Sequence, residues 1–83
     1  MQNLGNDLDY AMTKIEILSF FRANPHTRDT LKGFSLRLFM DYQVVAKVME
    51  ELVELGIIEK SGHAEKSIYR LKISYSTLED YLS

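Results

Sequence analysis

The chain has 83 residues and no cysteine. Disulfide bridges and thiolate-bound metals are therefore excluded, which agrees with a reducing, cytoplasmic setting. Histidine is scarce. His26 follows Pro25 in a loop and His63 sits in a second polar stretch; neither has another histidine or a carboxylate at metal-ligand spacing. There is no glycine-rich phosphate loop, no Ser/His/Asp arrangement and no paired acid fit for proton transfer. The sequence thus offers no catalytic residue, metal site or cofactor site, and the expectation is a protein that is not an enzyme. Met1 to Leu8 hold neither a basic start nor an apolar run, unlike a signal peptide. No segment approaches the ~20 apolar residues of a membrane span. Repeats, linkers and low-complexity tracts are also missing. One domain over residues 1–83 is expected, with its core in 9–72. A chain this short buries roughly 60–65% of its unfolded surface, enough for one modest core.

An excess of positive charge is lacking as well, since the net charge is −2. Its distribution says more than its sum. Arg28, Lys32, Arg37 and Lys47 outnumber Asp29 and Asp41 in residues 26–49. Glu50, Glu51, Glu54 and Glu59 make residues 50–59 wholly acidic, and Lys60, Lys66, Arg70 and Lys72 face only Glu65 in residues 60–72. Two basic blocks flank one acidic block, and local field rather than net charge steers a polyanion.

Helical periodicity accounts for the first half of the chain. A first helix, capped by Asp7 or Asp9, runs to about Ala23 with Leu8, Ala11, Met12, Ile15 and Leu18 on one face. Tyr10, Ile17, Phe20 and Phe21 widen that face, which fits either a helix buried on two sides of a small core or a surface packed on a second subunit. Asn24-Pro25 ends it. Asp29 is expected to cap a second helix, Thr30 to about Leu38, with Leu31, Phe34 and Leu38 inward. Gly33 within it costs up to ~1 kcal/mol relative to alanine, which points to close approach by another helix. Asp41 caps a third helix, Tyr42 to Leu55, whose inner line is Val45, Met49 and Leu52 with Val48 and Leu55 alongside. Gly56 suits the left-handed position that follows.

Two strands come next, Ile57 to Lys60 and Ile68 to Lys72, joined by the small polar loop Ser61-Gly62-His63-Ala64-Glu65-Lys66-Ser67. Ser76-Thr77-Leu78-Glu79 reads as a capping box opening a last helix, residues 76–82, with Leu78, Tyr81 and Leu82 on one side. A helix that short must dock on something. The fold class expected is mainly α with a small β-hairpin, an α+β arrangement.

From Thr13 to Lys72 the chain resembles a winged helix-turn-helix domain of bacterial and archaeal transcription regulators. The resemblance rests on Phe34-Ser35-Leu36-Arg37-Leu38-Phe39-Met40-Asp41, on Val45, Met49 and Leu52, on Leu55-Gly56-Ile57-Ile58-Glu59-Lys60, and on Ile68-Tyr69-Arg70-Leu71. Phe39 stands where many members carry a turn glycine; a positive φ there strains any other residue. The resemblance implies a three-helix core, to which the short C-terminal helix read from its capping box is added, a hairpin wing on backbone or minor groove, and a third helix entering the major groove. It also implies a dimer reading paired half-sites, with the first helix and the Leu78-Tyr81-Leu82 tail as its interface.

On that reading Tyr42, Gln43, Val44, Ala46 and Lys47 reach base edges. Glutamine pairs with adenine, valine or alanine touches a thymine methyl, and lysine reads guanine. Arg28, Lys32, Arg37, Lys60, Lys66 and Arg70 would hold phosphates, with residues 61–67 as the wing. The outer stripe Gln43, Lys47, Glu50/Glu51 and Glu54 is mostly acidic. It is either a solvated face or a surface for a basic partner protein, so the alternative to double-stranded DNA is a protein-interaction module of the same fold.

Overall fold

The computed structural model describes residues 4–82, with the side chains of residues 7–80 and 82. The elements run α1 (Leu4–Ala23), β1 (Arg28–Asp29), α2 (Leu31–Leu38), α3 (Tyr42–Glu54), β2 (Ile58–Ser61), β3 (Ile68–Leu71) and α4 (Tyr75–Leu82), with a single 3₁₀ turn at Ala64–Lys66. The architecture is mainly helical with a small antiparallel sheet of order β1-β3-β2. Among the described residues no helix is long and apolar enough to cross a membrane.

α1 begins ahead of its expected caps, and Asp7 lies in its first turn, where a carboxylate meets the positive end of the helix dipole. Its inward face differs from the expected one. Leu8, Met12 and Ile15 are 60%, 53% and 58% exposed; the buried line is Thr13, Ile17 and Phe21, with Leu18 beside it. The helix is apolar on two opposite sides, so spacing alone does not choose between them. The aromatic contacts do. Phe20, Phe21 and Phe34 pack with ring centroids 5.4–5.9 Å apart, and edge-on aromatic pairs add about 0.5–1.5 kcal/mol beyond the area they bury.

Thr30, not Asp29, caps α2. Its hydroxyl accepts from the Gly33 N–H at 3.1 Å. Asp29 belongs to β1, a strand too short for alternation to reveal, and its carboxylate accepts from the Thr30 N–H at 2.7 Å and from Arg37 Nε at 2.8 Å. The approach that Gly33 permits therefore comes from this side chain rather than from another helix: a methyl group at position 33 would overlap the Asp29 carboxylate. α2 ends on Phe39, whose φ of 54° and ψ of 46° are left-handed. The Met40 N–H closes the turn on the Ser35 carbonyl at 3.0 Å.

α3 follows its sequence pattern closely. Asp41 Oδ1 accepts from the Gln43 and Val44 N–H groups at 2.8 and 3.3 Å, and Val45, Val48, Met49 and Leu52 are fully buried. Leu55 is the exception. It sits past the last turn as the C-cap and is exposed, not part of the inner line. Gly56, at φ 77°, takes the left-handed position, and the Ile57 N–H reaches back to the Leu52 carbonyl at 3.0 Å.

The first hairpin strand is shifted by one residue from its expected bounds, and the second ends at Leu71, one residue short of the expected Lys72. Ile57 precedes β2, though its carbonyl accepts from the Lys72 N–H at 2.8 Å, and Ser61 belongs to the strand. In register, Ile58 faces Leu71 and Lys60 faces Tyr69 on β3, while β1 sets Arg28 opposite Arg70. Ser74, not Ser76, is the cap of α4: its hydroxyl accepts from the Thr77 N–H at 3.2 Å. α4 docks on α1 and buries Leu78 completely in the chain's own core, so Leu78 cannot serve a subunit interface. The expected interface position Tyr81 lies outside the described side chains.

Candidate nucleic-acid interface

Helical geometry turns successive side chains by about 100°, so the buried line of α3 leaves Gln43, Lys47, Glu50 and Glu54 pointing outward. Tyr42 is 41% exposed on one flank. Val44 and Ala46 are half-buried. Val44 packs on the core, and it shares a groove of about 230 Å³ with Asp9, Met12, Thr13, Met40 and Asp41. A second groove of similar volume is lined by Asp9, Tyr10, Val44 and Lys47. The part of the base-reading set that is fully outward is thus Gln43 with Lys47, one turn apart, and Tyr42 stands at their side.

Glu51 leaves the acidic stripe to which the sequence assigns it. It is half-buried and turned toward α1, where the Tyr10 hydroxyl donates to one carboxylate oxygen and the Lys14 ammonium to the other. The Lys14 bond, then the Tyr10 bond, hold the Glu51 carboxyl below its ordinary value of 4.5. The same carboxylate pushes the Tyr10 phenol up to about 12, with burial adding to the effect. One consequence reaches the outer face. Lys47 does not pair with Glu51, and among the described residues it forms no ion pair.

The cations expected on phosphates fall into two groups. Arg37 is held by Asp29, whose carboxyl lies below its ordinary 3.8 chiefly because of that bond. Arg70 is ion-paired with Glu59. Arg28, Lys32, Lys60 and Lys66 are exposed and make no ion pair among the described residues. Lys60 lies over the Tyr69 ring, 5.9 Å from its centroid. With Tyr69 it lines a cavity of about 110 Å³ against Glu50, Val53 and Glu54. Lys60 therefore neighbours the rear half of α3 and not its first turn.

Within the 61–67 loop, Gly62 and Ala64 both have positive φ, and residues 61–66 are exposed. Ser67 is 1% exposed, which removes it from the surface. Two features escape sequence reasoning. Leu36, in the last turn of α2, and Phe39, its left-handed C-cap, are 64% and 94% exposed. Arg28 and Arg70 are brought face to face by strand register; only pairing of segments far apart in the chain creates that juxtaposition. No family model matches the chain, and no curated protein matches it either.

Proposed function

We propose that this chain is a winged helix-turn-helix protein that binds double-stranded DNA, acting in the cytoplasm as a small transcription regulator. The single observation behind this reading is Lys47, an ammonium without an ion pair among the described residues, on the outward face of a capped helix, one turn from Gln43. Two side chains at that spacing on one face suit adjacent base edges in a major groove. Exposed Lys32 on α2 and Lys66 on the hairpin supply phosphate contacts beyond the groove, and Arg28 with Arg70 adds another. Leu8, Met12 and Ile15 repeat at spacings of four and three on the side of α1 opposite the core, which is the spacing of a helix–helix seam. A homodimer through this face accompanies the reading, and a solution mass near that of two chains is expected.

The test is titration of a short duplex of arbitrary sequence with the intact chain, followed by fluorescence anisotropy across a range of salt. Binding at micromolar protein in low salt is expected. About four phosphate contacts would make log K fall with log[salt] at a slope near −3 to −4. Absence of binding in low salt rejects the reading.

A second reading, a protein-interaction module of the same fold, draws on the exposed Leu36 and Phe39 beside Tyr42 and on the acidic Glu50 and Glu54. Exposed aromatic side chains suit a partner's pocket, and an acidic face suits a basic one. The duplex titration separates the two readings.

A further inference from the structure

Beside β1 lies a cavity of about 80 Å³ lined by Pro25, His26, Arg28, Arg70 and Leu71. In volume it matches the share of liquid taken by about three waters. Arg28 and Arg70 are direct partners in the antiparallel ladder, so their side chains leave the sheet on the same face. Like charges set opposite each other destabilise a strand pair. Glu59, next in the same row across β3, answers one of the two charges by pairing with Arg70. Nothing among the described residues answers Arg28. The sheet therefore sets Arg28, without an ion pair among the described residues, directly across from Arg70, at the wall of a cavity that His26 also lines.

We propose that His26, Arg28 and Arg70 form a seat for one phosphate group. Two guanidinium forks on facing strands present several N–H donors to tetrahedral oxygens, a geometry that a single lysine charge does not offer. The bound anion supplies the counter-charge that Arg28 lacks, and Glu59 is its competitor for Arg70. Where the phosphate is a backbone diester, the seat deepens the DNA reading by assigning Arg28 and Arg70 to the same phosphate. Where it is a free phosphate, the seat stands without DNA.

The experiment follows the arginine Nε–Hε signals, the His26 ring signals and the backbone amide signals by NMR while the intact chain is titrated with inorganic phosphate at low ionic strength. Chloride serves as the control. Saturable shifts at His26, Arg28 and Arg70, absent at Lys47 and Lys60, which line other cavities, are expected. Arg28→Gln should weaken phosphate binding at least about tenfold. Glu59→Gln should tighten it by a few fold, a gain that a purely structural role for the row does not produce. Each variant is checked for an otherwise unchanged amide spectrum. Shifts that are linear, or equal at those two lysines, overturn the proposal, as does unchanged affinity in Arg28→Gln.

The duplex titration then identifies the source. If DNA occupies the seat, Arg28→Gln reduces the magnitude of the salt slope by about 1, and adding Arg70→Gln reduces it little further. Phosphate binding without duplex binding keeps the seat and removes the DNA reading. Duplex binding with no response to phosphate does the reverse.

Discussion

The two halves of α3 meet different surroundings. The first turns are capped by the Asp41 carboxylate, flanked by two open grooves, and present Gln43 and Lys47, which has no ion pair among the described residues, to solvent. The last turns are pinned to α1 by Glu51 and show Glu50 and Glu54 outward, with Lys60 and Tyr69 alongside. The Asp41 carboxylate offsets the positive end of the helix dipole at the front, while acids at the rear sit at its negative end and gain nothing from it. Averaging charge along the helix hides this division. A polyanion reaching the first turns from the side of Gln43 and Lys47 meets an ammonium, and one lying along the whole outer face also meets the rear carboxylates Glu50 and Glu54.

The largest effect that would break this contrast is expected at Lys47. In Lys47→Ala, affinity for a selected duplex should fall by about 1–3 kcal/mol if the ammonium reads a base. Lys60→Ala, beside the acidic rear, should cost less and act equally on all sequences, as a backbone contact does. Competition titrations against selected and scrambled duplexes measure both. Equal losses for the two variants would erase the distinction between the front and rear of α3.

The rear clamp is weaker, and pH tests it. Glu51 titrates below its ordinary 4.5 in the folded chain, so its contribution is complete above that value and is lost as pH falls through the depressed folded value. Tyr10 is raised from 10.0 to about 12, so its contribution is complete below pH 10 and is lost as pH climbs toward 12. Glu51→Gln should therefore destabilise by up to about 1 kcal/mol at neutral pH, the range for a solvent-screened pair, and by less at pH 3. Urea midpoints at both pH values provide the check. A gap between wild type and variant that does not shrink in acid would mean that Glu51 acts by packing.

The same contrast explains which features could be read in advance. On α3 the apolar residues occupy one face and the rest are polar, so burial of Val45, Val48, Met49 and Leu52, the Asp41 cap and the left-handed Gly56 all follow from local chemistry. On α1, Leu8, Met12 and Ile15 are as apolar as Ile17 and Phe21. Partners elsewhere in the chain, Phe34 and the helices α3 and α4, decide which side turns inward, and those contacts lie beyond the reach of spacing. Neighbouring Glu50 and Glu51 differ by a single 100° step, yet one faces water and the other faces Lys14. β1 is two residues long, too short to alternate, so the Arg28–Arg70 pair it creates was illegible. Lys47 was legible as an outward residue. Its freedom from an ion pair was not, because that depends on where Glu51 goes.

The smallest effect belongs to the outward acids, and its sign carries the information. A carboxylate about 10 Å from a backbone phosphate in water repels it by about 0.4 kcal/mol, before screening by salt. If α3 enters a groove, Glu50→Gln should strengthen duplex binding by roughly this amount at low ionic strength, and the gain should fade once the Debye length falls below that distance, near 0.1 M salt. Glu65→Gln in the hairpin turn, judged by the same titration, is the internal comparison. A gain at Glu50 alone means that the rear of α3 lies close to the phosphates and that its acids oppose binding there. A gain at Glu65 alone brings the hairpin turn closer and leaves the rear of α3 facing solvent. Weaker binding in Glu50→Gln would contradict both, because loss of a negative charge near a polyanion can weaken binding only if that carboxylate positions a residue that DNA needs.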